Sequence, residues 1–296
     1  MNRNRIFLAA WLLIILLSII ATGCNSDSSL PQTVEDDLGQ EITLAKPPER
    51  IISLMPSKTE KLFALGLGDK VVGITDLCNY PEELLKENIE RVGDAFNLSL
   101  ENIVALEPDL IVANWLPEGM VGQLDSLGIP VFLTAPVGIE DTLRSIEGLG
   151  RLTGKLPEAE RLVAGLKEQI VGVTAAIERR EPAERPRVLC LLDEGLFVAG
   201  RETLQDELIT LAGGINVVEE SGWIELSEEA LLLLDPDVIL YTFPGGEQVL
   251  TRLEWQGLHS IQQGKVYKLD EDLCSRTGPR LVEGLKEIYS FLYPEN

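Results

Sequence analysis

Residues 99–111 read SLENIVALEPDLI and residues 227–239 read SEEALLLLDPDVI, so the chain carries one pattern twice, 128 positions apart. Each copy begins with Ser, has Glu two residues later, and continues with apolar residues at helical spacing. Each then reaches Leu-x-Pro-Asp and a run of β-branched and aliphatic residues. A helix followed by a buried strand fits this order of signals. The sequence therefore predicts two equivalent helix–strand units, one in each half of the chain.

The ends of the two predicted helices carry matching local signals. Ser99 and Ser227 are suited to cap the first turns by accepting a backbone N–H. Glu101 and Glu229 fall in those first turns, where the helix dipole favours a carboxylate. The proline of each Leu-x-Pro-Asp ends the helix, and the following apolar run is typical of a parallel strand buried on both faces. Two such units predict two similar lobes with a cleft between them.

Strand-like and helical segments alternate through both halves, which predicts an α/β fold with a mostly parallel sheet flanked by helices in each lobe. Ser57 is predicted to cap the helix after the first strand. Residues 139–154 and 156–181 are helical in pattern with no strand between, so one long rigid helix is expected to join the lobes. The predicted bounds are a signal peptide at 1–23, a tether at 24–32, an N-terminal lobe at 33–138, a helical connection at 139–182 and a C-terminal lobe at 183–296.

The formal net charge of the 296 residues is −23, and it becomes −25 without Arg3 and Arg5 of the N-terminal segment. Such an acidic chain repels nucleic acids and anionic lipid surfaces, so no nucleic-acid partner is expected. The length is sufficient for two α/β lobes with their own cores.

The N-terminal segment has the features of a bacterial export signal. Two arginines precede the apolar stretch 6–21, which is short against the ~20 residues of a membrane-spanning helix. Small residues then precede Cys24, a pattern that resembles a lipoprotein signal, although Ala21 stands where leucine is usual. We expect cleavage before Cys24, lipidation of that cysteine, and a protein held outside the cytoplasmic membrane by the lipid alone. An uncleaved membrane anchor is the alternative.

The remaining cysteines and the single histidine favour no protein metal site. Cys190 lies in a buried-strand pattern and is expected to act as a small apolar residue. Cys78 and Cys274 lie in predicted loops, where a disulfide, a role at the ligand site and two incidental thiols all stay open. His259 has no partner at metal-ligand spacing, so no metal site is predicted.

The stretch ERIISLMPSKTEKLFALGLGDKVVGITDLCNYPEE resembles the opening of solute-binding proteins of ABC importers, in the class that serves vitamin B12, ferric siderophores and haem. The resemblance continues through VGDAFNLSLENIVALEPDLIVAN, LAGGINVVEESGW, GKVYKLDE and RTGPRLVEGL, and covers nearly the whole mature chain. It is most similar to the cobalamin-binding members, through DLCNYPEE, Trp223 and RTGPRL. The implied function is capture of a macrocyclic small molecule, here a corrinoid, by a monomer that delivers it to the permease and ATPase of an ABC importer, with no cofactor of its own.

In cobalamin-binding members, one glutamate on each lobe docks onto arginines of the permease. The positions that match here are Glu101 and Glu229. A purely local role, in which each carboxylate offsets its helix dipole, is the alternative.

The ligand is expected where parallel strands end, because the loops beyond their carboxyl ends converge there. Aromatic side chains at such ends suit a flat apolar ring. By resemblance, Phe197 and Trp223 match cobalamin contacts, Tyr80 lies in the corresponding first-lobe loop and Asp272 matches a second-lobe position. The complete predicted set is Met55, Pro56, Ser57, Asp76, Leu77, Cys78, Tyr80, Phe96, Trp115, Phe197, Trp223, Phe243, Asp272 and Cys274.

The alternative functions are a ferric-siderophore-binding or haem-binding protein of the same family, an enzyme, and a surface adhesin or sensor partner. Haem and many iron chelates are anionic and call for arginine or lysine at the site. Lys58, Arg201, Arg276 and Arg280 lie near the predicted cleft without forming a basic cluster, so a near-neutral corrinoid is favoured. No nucleophile elbow or Walker loop is present, and an enzyme is not expected. A ligand-free surface adhesin or sensor partner shares the predicted lipid anchor and stays open.

Overall fold

The computed structural model describes residues 32–85, 89–94, 96–178 and 184–294. The predicted signal peptide, Cys24 and nearly all of the predicted tether lie outside these residues. The tether prediction extends one residue too far, because Gln32 already begins the first strand of a small antiparallel hairpin. The strands of this hairpin are β1 (Gln32–Glu35) and β2 (Glu41–Leu44).

The first large sheet is entirely parallel, in the order β5-β4-β3-β6-β7. Alternate strand residues enter two different hydrophobic clusters, since Ile51 and Val112 belong to one and Ile52 and Ile111 to the other. The sheet is therefore covered on both faces, which explains its continuous apolar strands. Its strands are β3 (Ile51–Ser53), β4 (Val71–Ile74), β5 (Glu90–Arg91), β6 (Leu110–Ala113) and β7 (Val131–Leu133). The helices between them are α1 (Pro56–Ala64), α2 (Leu100–Ala105) and α3 (Met120–Ser126).

Two consecutive helices follow the first sheet, as predicted. They are α4 (Ile139–Leu152) and α5 (Leu156–Ile177), and the second has 22 residues. At ~1.5 Å per residue α5 is about 33 Å long. Its buried face joins one hydrophobic cluster that also contains Phe132 of the first sheet and Val188 of the second. The core is thus continuous from one lobe to the other through α5.

The second sheet is mixed, in the order β11-β9-β8-β12-β13, with β10 paired to β8. Its centre is parallel, whereas β9 runs antiparallel to both β8 and β11. The strands are β8 (Arg187–Leu191), β9 (Phe197–Ala199), β10 (Ile215–Asn216), β11 (Trp223–Glu225), β12 (Val238–Tyr241) and β13 (Val266–Lys268). The helices are α6 (Leu204–Leu211), α7 (Glu228–Leu234), α8 (His259–Gln262), α9 (Glu271–Ser275) and α10 (Leu281–Leu292).

Two local predictions are wrong. Ser57 does not cap α1: Met55 occupies the N-cap position without a side-chain bond, Pro56 opens the helix, and Ser57 is buried in its first turn. The proline supplies a suitable φ and needs no N–H partner at that position, which explains the earlier start. Cys274 lies in α9 and not in a loop, because the Asp270 side chain caps that short helix by accepting the Asp272 N–H.

Candidate functional site

Exposed aromatic side chains gather at the ends and edges of strands in both lobes. Among the described residues, the aromatic side chains that are exposed were all in the predicted ligand set. Large apolar rings are usually buried, and exposed ones can offer a flat contact to an apolar ligand. These five residues are Tyr80, Phe96, Trp115, Phe197 and Trp223.

In the N-terminal lobe, Phe96 and Trp115 form a tilted pair with ring centroids 5.6 Å apart. The loop that presents Phe96 is held by Asp94, whose Oδ1 accepts the backbone N–H of Phe96 at 2.7 Å and of Asn97 at 2.9 Å. Bonds from the Asn97 side chain and these N–H groups lower the pKa of Asp94. Gly93 begins the turn at φ +107°, and a Cβ there would lie 2.2 Å from the Asn97 carbonyl oxygen. The turn therefore requires glycine.

In the C-terminal lobe, Phe197 and Trp223 lie on one face of the β9–β11 pair, because Phe197 is opposite Glu225 and Trp223 is opposite Ala199. Asp193 holds the preceding loop by accepting the N–H of Phe197 at 3.0 Å. The Trp223 indole donates to Gln205 at 3.4 Å. Each lobe thus presents an aromatic residue from an aspartate-stabilised turn.

A network of charged and polar side chains joins the lobes beside Tyr80. Glu60 of α1 accepts hydrogen bonds from Arg276 at 3.1 Å and from Arg280 at 2.9 and 3.2 Å. Asn79, in the loop after β4, donates to Asp272 at 2.8 Å and accepts from Arg276 at 2.8 Å. The two lobes are therefore tied directly to each other by side chains 193 to 220 positions apart in the sequence.

The basic residues near the cleft are all engaged. The Arg280 guanidinium stacks on the Tyr80 ring at 3.9 Å, and Arg276 also pairs with Asp272 at 2.5 Å. Arg201 lies 3.4 Å from Glu219 on the surface. Lys58 is buried in α1 and donates to Thr134 at 2.5 Å.

Lys58 is one of two buried lysines in α1, and the second, Lys61, donates to Ser145. Burial lowers the pKa of Lys58 to about 7. Burial and the neighbouring Lys58 lower the pKa of Lys61 well below its usual value, while Asp37 partly opposes both shifts. These lysines support the interior of the N-terminal lobe and do not reach the cleft surface.

The predicted ligand set divides by burial. Asp76 and Leu77 are exposed, and Met55 and Asp272 are partly exposed. Five members are buried instead: Pro56, Ser57, Cys78, Phe243 and Cys274.

Cys78, in the loop after β4, and Cys274, in α9, lie in separate environments as free thiols. The Cys78 sulfur is 3.1 Å from the Thr59 hydroxyl, and the Cys274 sulfur donates to the Asp270 carbonyl at 3.2 Å. Burial raises the pKa of Cys274 to about 12. Cys190 is buried in β8, as predicted, and its pKa is also raised by burial.

Four members of this network lie outside the predicted ligand set: Glu60, Asn79, Arg276 and Arg280. The sequence pattern marks the two arginines only as charges beside a turn, and it does not mark Glu60 or Asn79. Their pairing joins segments that are distant in sequence, so no local pattern reveals it. Only charge offered a signal in the sequence. Arginines that become partly buried at a cleft need carboxylate partners close by, and this acidic chain supplies many.

The two helices that carry Glu101 and Glu229 have the predicted caps. Ser99 accepts the N–H of Asn102, and Ser227 accepts that of Ala230. Both glutamate side chains are exposed, whereas Ile103 and Leu231 anchor the inner faces of their helices. A residue of positive φ follows each helix within two positions, at 46° for Glu107 and 39° for Asp235.

The chain consists of two α/β lobes linked by a long helix, with exposed aromatics at strand ends and edges in both lobes. Comparison with known proteins gives the family: residues 51–273 match the periplasmic binding protein family, and the chain belongs to it. A Bacillus subtilis (strain 168) protein named as an uncharacterized ABC transporter substrate-binding lipoprotein is 30% identical over 306 positions, with 96% of each chain covered.

Other relatives are named for different ligands. The vitamin B12-binding protein of Pectobacterium atrosepticum is 30% identical over 253 positions, covering 83% of this chain and 88% of the relative. The apo structure of a periplasmic heme-binding protein from Roseiflexus sp. RS-1 is 29% identical with a TM-score of 0.74, covering 83% of this chain and 98% of that one. The chain is thus an extracytoplasmic solute-binding protein that works with an ABC importer. Among the described residues, no helix combines the length and apolar character needed to span a membrane.

Proposed function

We propose that this solute-binding protein captures a corrinoid between its lobes and delivers it to the permease of an ABC importer. The observation that carries the proposal is the set of five exposed aromatics, three from the N-terminal lobe and two from the C-terminal lobe. Such rings offer flat apolar contact to a macrocycle. The arginines at the lobe junction, one of which stacks on Tyr80, are already paired with carboxylates, which favours a near-neutral ligand over an anionic one.

The first test is fluorescence titration of residues 25–296 with cyanocobalamin, cobinamide, haem, a ferric hydroxamate and molybdate, corrected for ligand absorbance. Trp115 and Trp223 are exposed while Trp255 is buried, so a ligand in the cleft should quench part of the emission. We expect saturable quenching by the corrinoids. Trp223→Ala should weaken their binding by tenfold or more, since an aromatic anchor contributes about 1.5 kcal/mol or more.

The control variant is Val171→Ala, on the exposed side of α5, which should bind like the parent protein. Saturable binding of haem alone would overturn the corrinoid and favour the ligand named for the Roseiflexus relative. Absence of binding by all five probes would favour the adhesin.

The permease contact is proposed to involve Glu101 and Glu229. Both carboxylates stand on capped helices and are exposed, so a partner can reach them. Replacing both by alanine should abolish uptake while leaving ligand affinity intact, because neither residue belongs to the cleft. Wild-type uptake by the double variant would contradict the docking role.

The lipid anchor is proposed to be attached at Cys24, in line with the lipoprotein named among the relatives. Radiolabelled palmitate should enter the parent protein and not Cys24→Ala. Labelling of the variant would contradict the assignment.

A further inference from the structure

One buried carboxylate receives two arginines from the other lobe. The Glu60 side chain is 2% exposed; its Oε1 accepts from both Arg276 and Arg280, and its Oε2 accepts from Arg280. The arginines belong to the segment between α9 and α10, in the C-terminal lobe. A buried carboxylate is retained only where such partners compensate for its lost hydration.

The same arginines reach one predicted ligand contact in each lobe. Arg280 stacks on Tyr80 at 3.9 Å, and Arg276 pairs with Asp272 at 2.5 Å. Asn79 closes the network by bonding to both Arg276 and Asp272. Glu60 thus lies behind Tyr80 and Asp272 and fixes the groups that hold them.

The network is also balanced in charge. Two carboxylates, of Glu60 and Asp272, face two guanidinium groups, of Arg276 and Arg280. An anionic ligand approaching these arginines has to compete with carboxylates already bound to them. A neutral ligand meets no such competition.

We propose that Glu60 is a positioning and specificity-determining residue of the cleft. It aligns Tyr80 and Asp272 across the lobes, and by neutralising Arg276 and Arg280 it biases the site against anionic ligands. The inference rests on the proposed function in one respect, that the ligand lies against Tyr80 and Asp272.

The test is Glu60→Gln, which keeps the size of the side chain and leaves the network with one uncompensated positive charge. Dissociation constants are measured for cyanocobalamin and for haem, whose two propionates supply negative charge. We expect the corrinoid to bind about tenfold more weakly and haem about tenfold more tightly, so their ratio changes about a hundredfold. Glu60 and Glu83 both line a cavity of about 540 Å³ at the lobe junction, and Glu83 is exposed. The control is therefore Glu83→Gln, which should leave the ratio of the two dissociation constants unchanged.

A second variant keeps the proposal testable if Glu60→Gln folds poorly. Arg280→Met removes the cation and leaves Glu60, so haem affinity should fall below that of the parent protein. An unchanged ratio in a folded Glu60→Gln protein, or a rise in haem affinity with Arg280→Met, would overturn the specificity role.

The outcome also separates the inference from the proposed ligand. If the parent protein binds haem and no corrinoid, the proposed ligand is wrong, while tighter haem binding by Glu60→Gln still supports the role of Glu60. A parent protein that binds neither probe would overturn both.

Discussion

The two helix–strand units are built alike at their ends and differ on the face between them. Arg50, just before β3, donates to the two carbonyls that directly follow α2. Arg187, the first residue of β8, donates to the carbonyls of Leu234 and Asp235 at the end of α7. The aspartates of the two Leu-x-Pro-Asp motifs, Asp109 and Asp237, accept the backbone N–H of those arginines at 2.9 and 2.8 Å. Both helices are therefore fixed at their beginning and at their end.

The exposed faces have diverged. One turn after its glutamate, α2 exposes Val104 and Ala105, while α7 exposes Leu232 and Leu233, the last at 86%. The repeated positions are those that form the fold, and the outward positions are free to fit different surfaces of a partner. A repeated scaffold can therefore present two unequal contacts.

Charge reversal should give the largest effect. Glu101→Lys and Glu229→Lys each place a cation where the permease is expected to offer one, and like charges across an interface cost several kcal/mol. We expect the initial rate of uptake to fall about a hundredfold in each variant, corresponding to about 2.7 kcal/mol, with ligand affinity unchanged. Glu168→Lys, an exposed change on α5, is the control. An equal loss in the control would show that total charge, and not the two units, decides docking.

The lobes also differ in the helix that follows their first strands. α1 buries Lys58 and Lys61, whereas α6 buries Leu204 and Leu208 at the corresponding stage of the second lobe. A charged amino group is expensive to bury, so the N-terminal lobe should carry a pH dependence that the other lacks.

The sign of this pH dependence follows from the lowered pKa of Lys58, which is about 7 against an ordinary value of 10.5. Between these values the unfolded lysine holds a proton that the folded one lacks, so the free energy of unfolding rises with pH by about 1.4 kcal/mol per unit. From pH 7 to 8.5 the gain from Lys58 is roughly 1.5 kcal/mol, because the folded lysine is still half protonated at pH 7. Thiols of the unfolded chain begin to ionise in this range and oppose the gain, so the quantity that tests Lys58 is the difference in slope between the parent protein and the variant.

Lys58→Met should remove this slope, as measured by urea unfolding at pH 7.0, 7.75 and 8.5. Lys265→Met, at an exposed lysine of the C-terminal lobe, provides the matched control. If Lys58→Met keeps the full slope, the pH dependence of the unfolding free energy comes from other groups, with Lys61 the first to test.

The unequal outer faces should give a smaller asymmetry in docking. Leu233→Ser should weaken the complex with the cognate permease about tenfold, because burial of a leucine contributes roughly 1.5 kcal/mol or more. Val104→Ser, at a smaller and less exposed side chain, should cost about threefold. The complex is measured with the importer in nanodiscs, and Leu127→Ser serves as an exposed control. Equal losses of affinity in Leu233→Ser and Val104→Ser would contradict unequal contacts of the two lobes with the permease.

The sequence predicted the features that are local or repeated. Ser99, Ser227 and the Leu-x-Pro-Asp ends are short-range signals, and all were confirmed. Exposed aromatics such as Phe96 and Trp115 could be foreseen because strand ends are recognisable from the turns that follow them.

Features that depend on tertiary context could not be predicted. SKTEKLF reads as a polar helix face, yet the fold buries Lys58, Glu60 and Lys61 because partners arrive from distant segments. The antiparallel β9 has no marker that separates it from a parallel strand. Ser57 failed as a cap because a proline one residue earlier can also open a helix.

The smallest expected effect tests the symmetry of the two scaffolds. Arg50→Met and Arg187→Met each keep an apolar stem and remove hydrogen bonds to the final carbonyls of α2 or α7. Both guanidinium groups are exposed, so water can replace them, and each change should cost only about 1 kcal/mol of unfolding free energy. Urea denaturation of the two variants should give equal losses within ~0.5 kcal/mol if the units are energetically as well as geometrically equivalent. If only one variant loses unfolding free energy, the two helix ends are geometrically alike but energetically unequal. The same hydrogen bonds would then stabilise one helix and be redundant in the other.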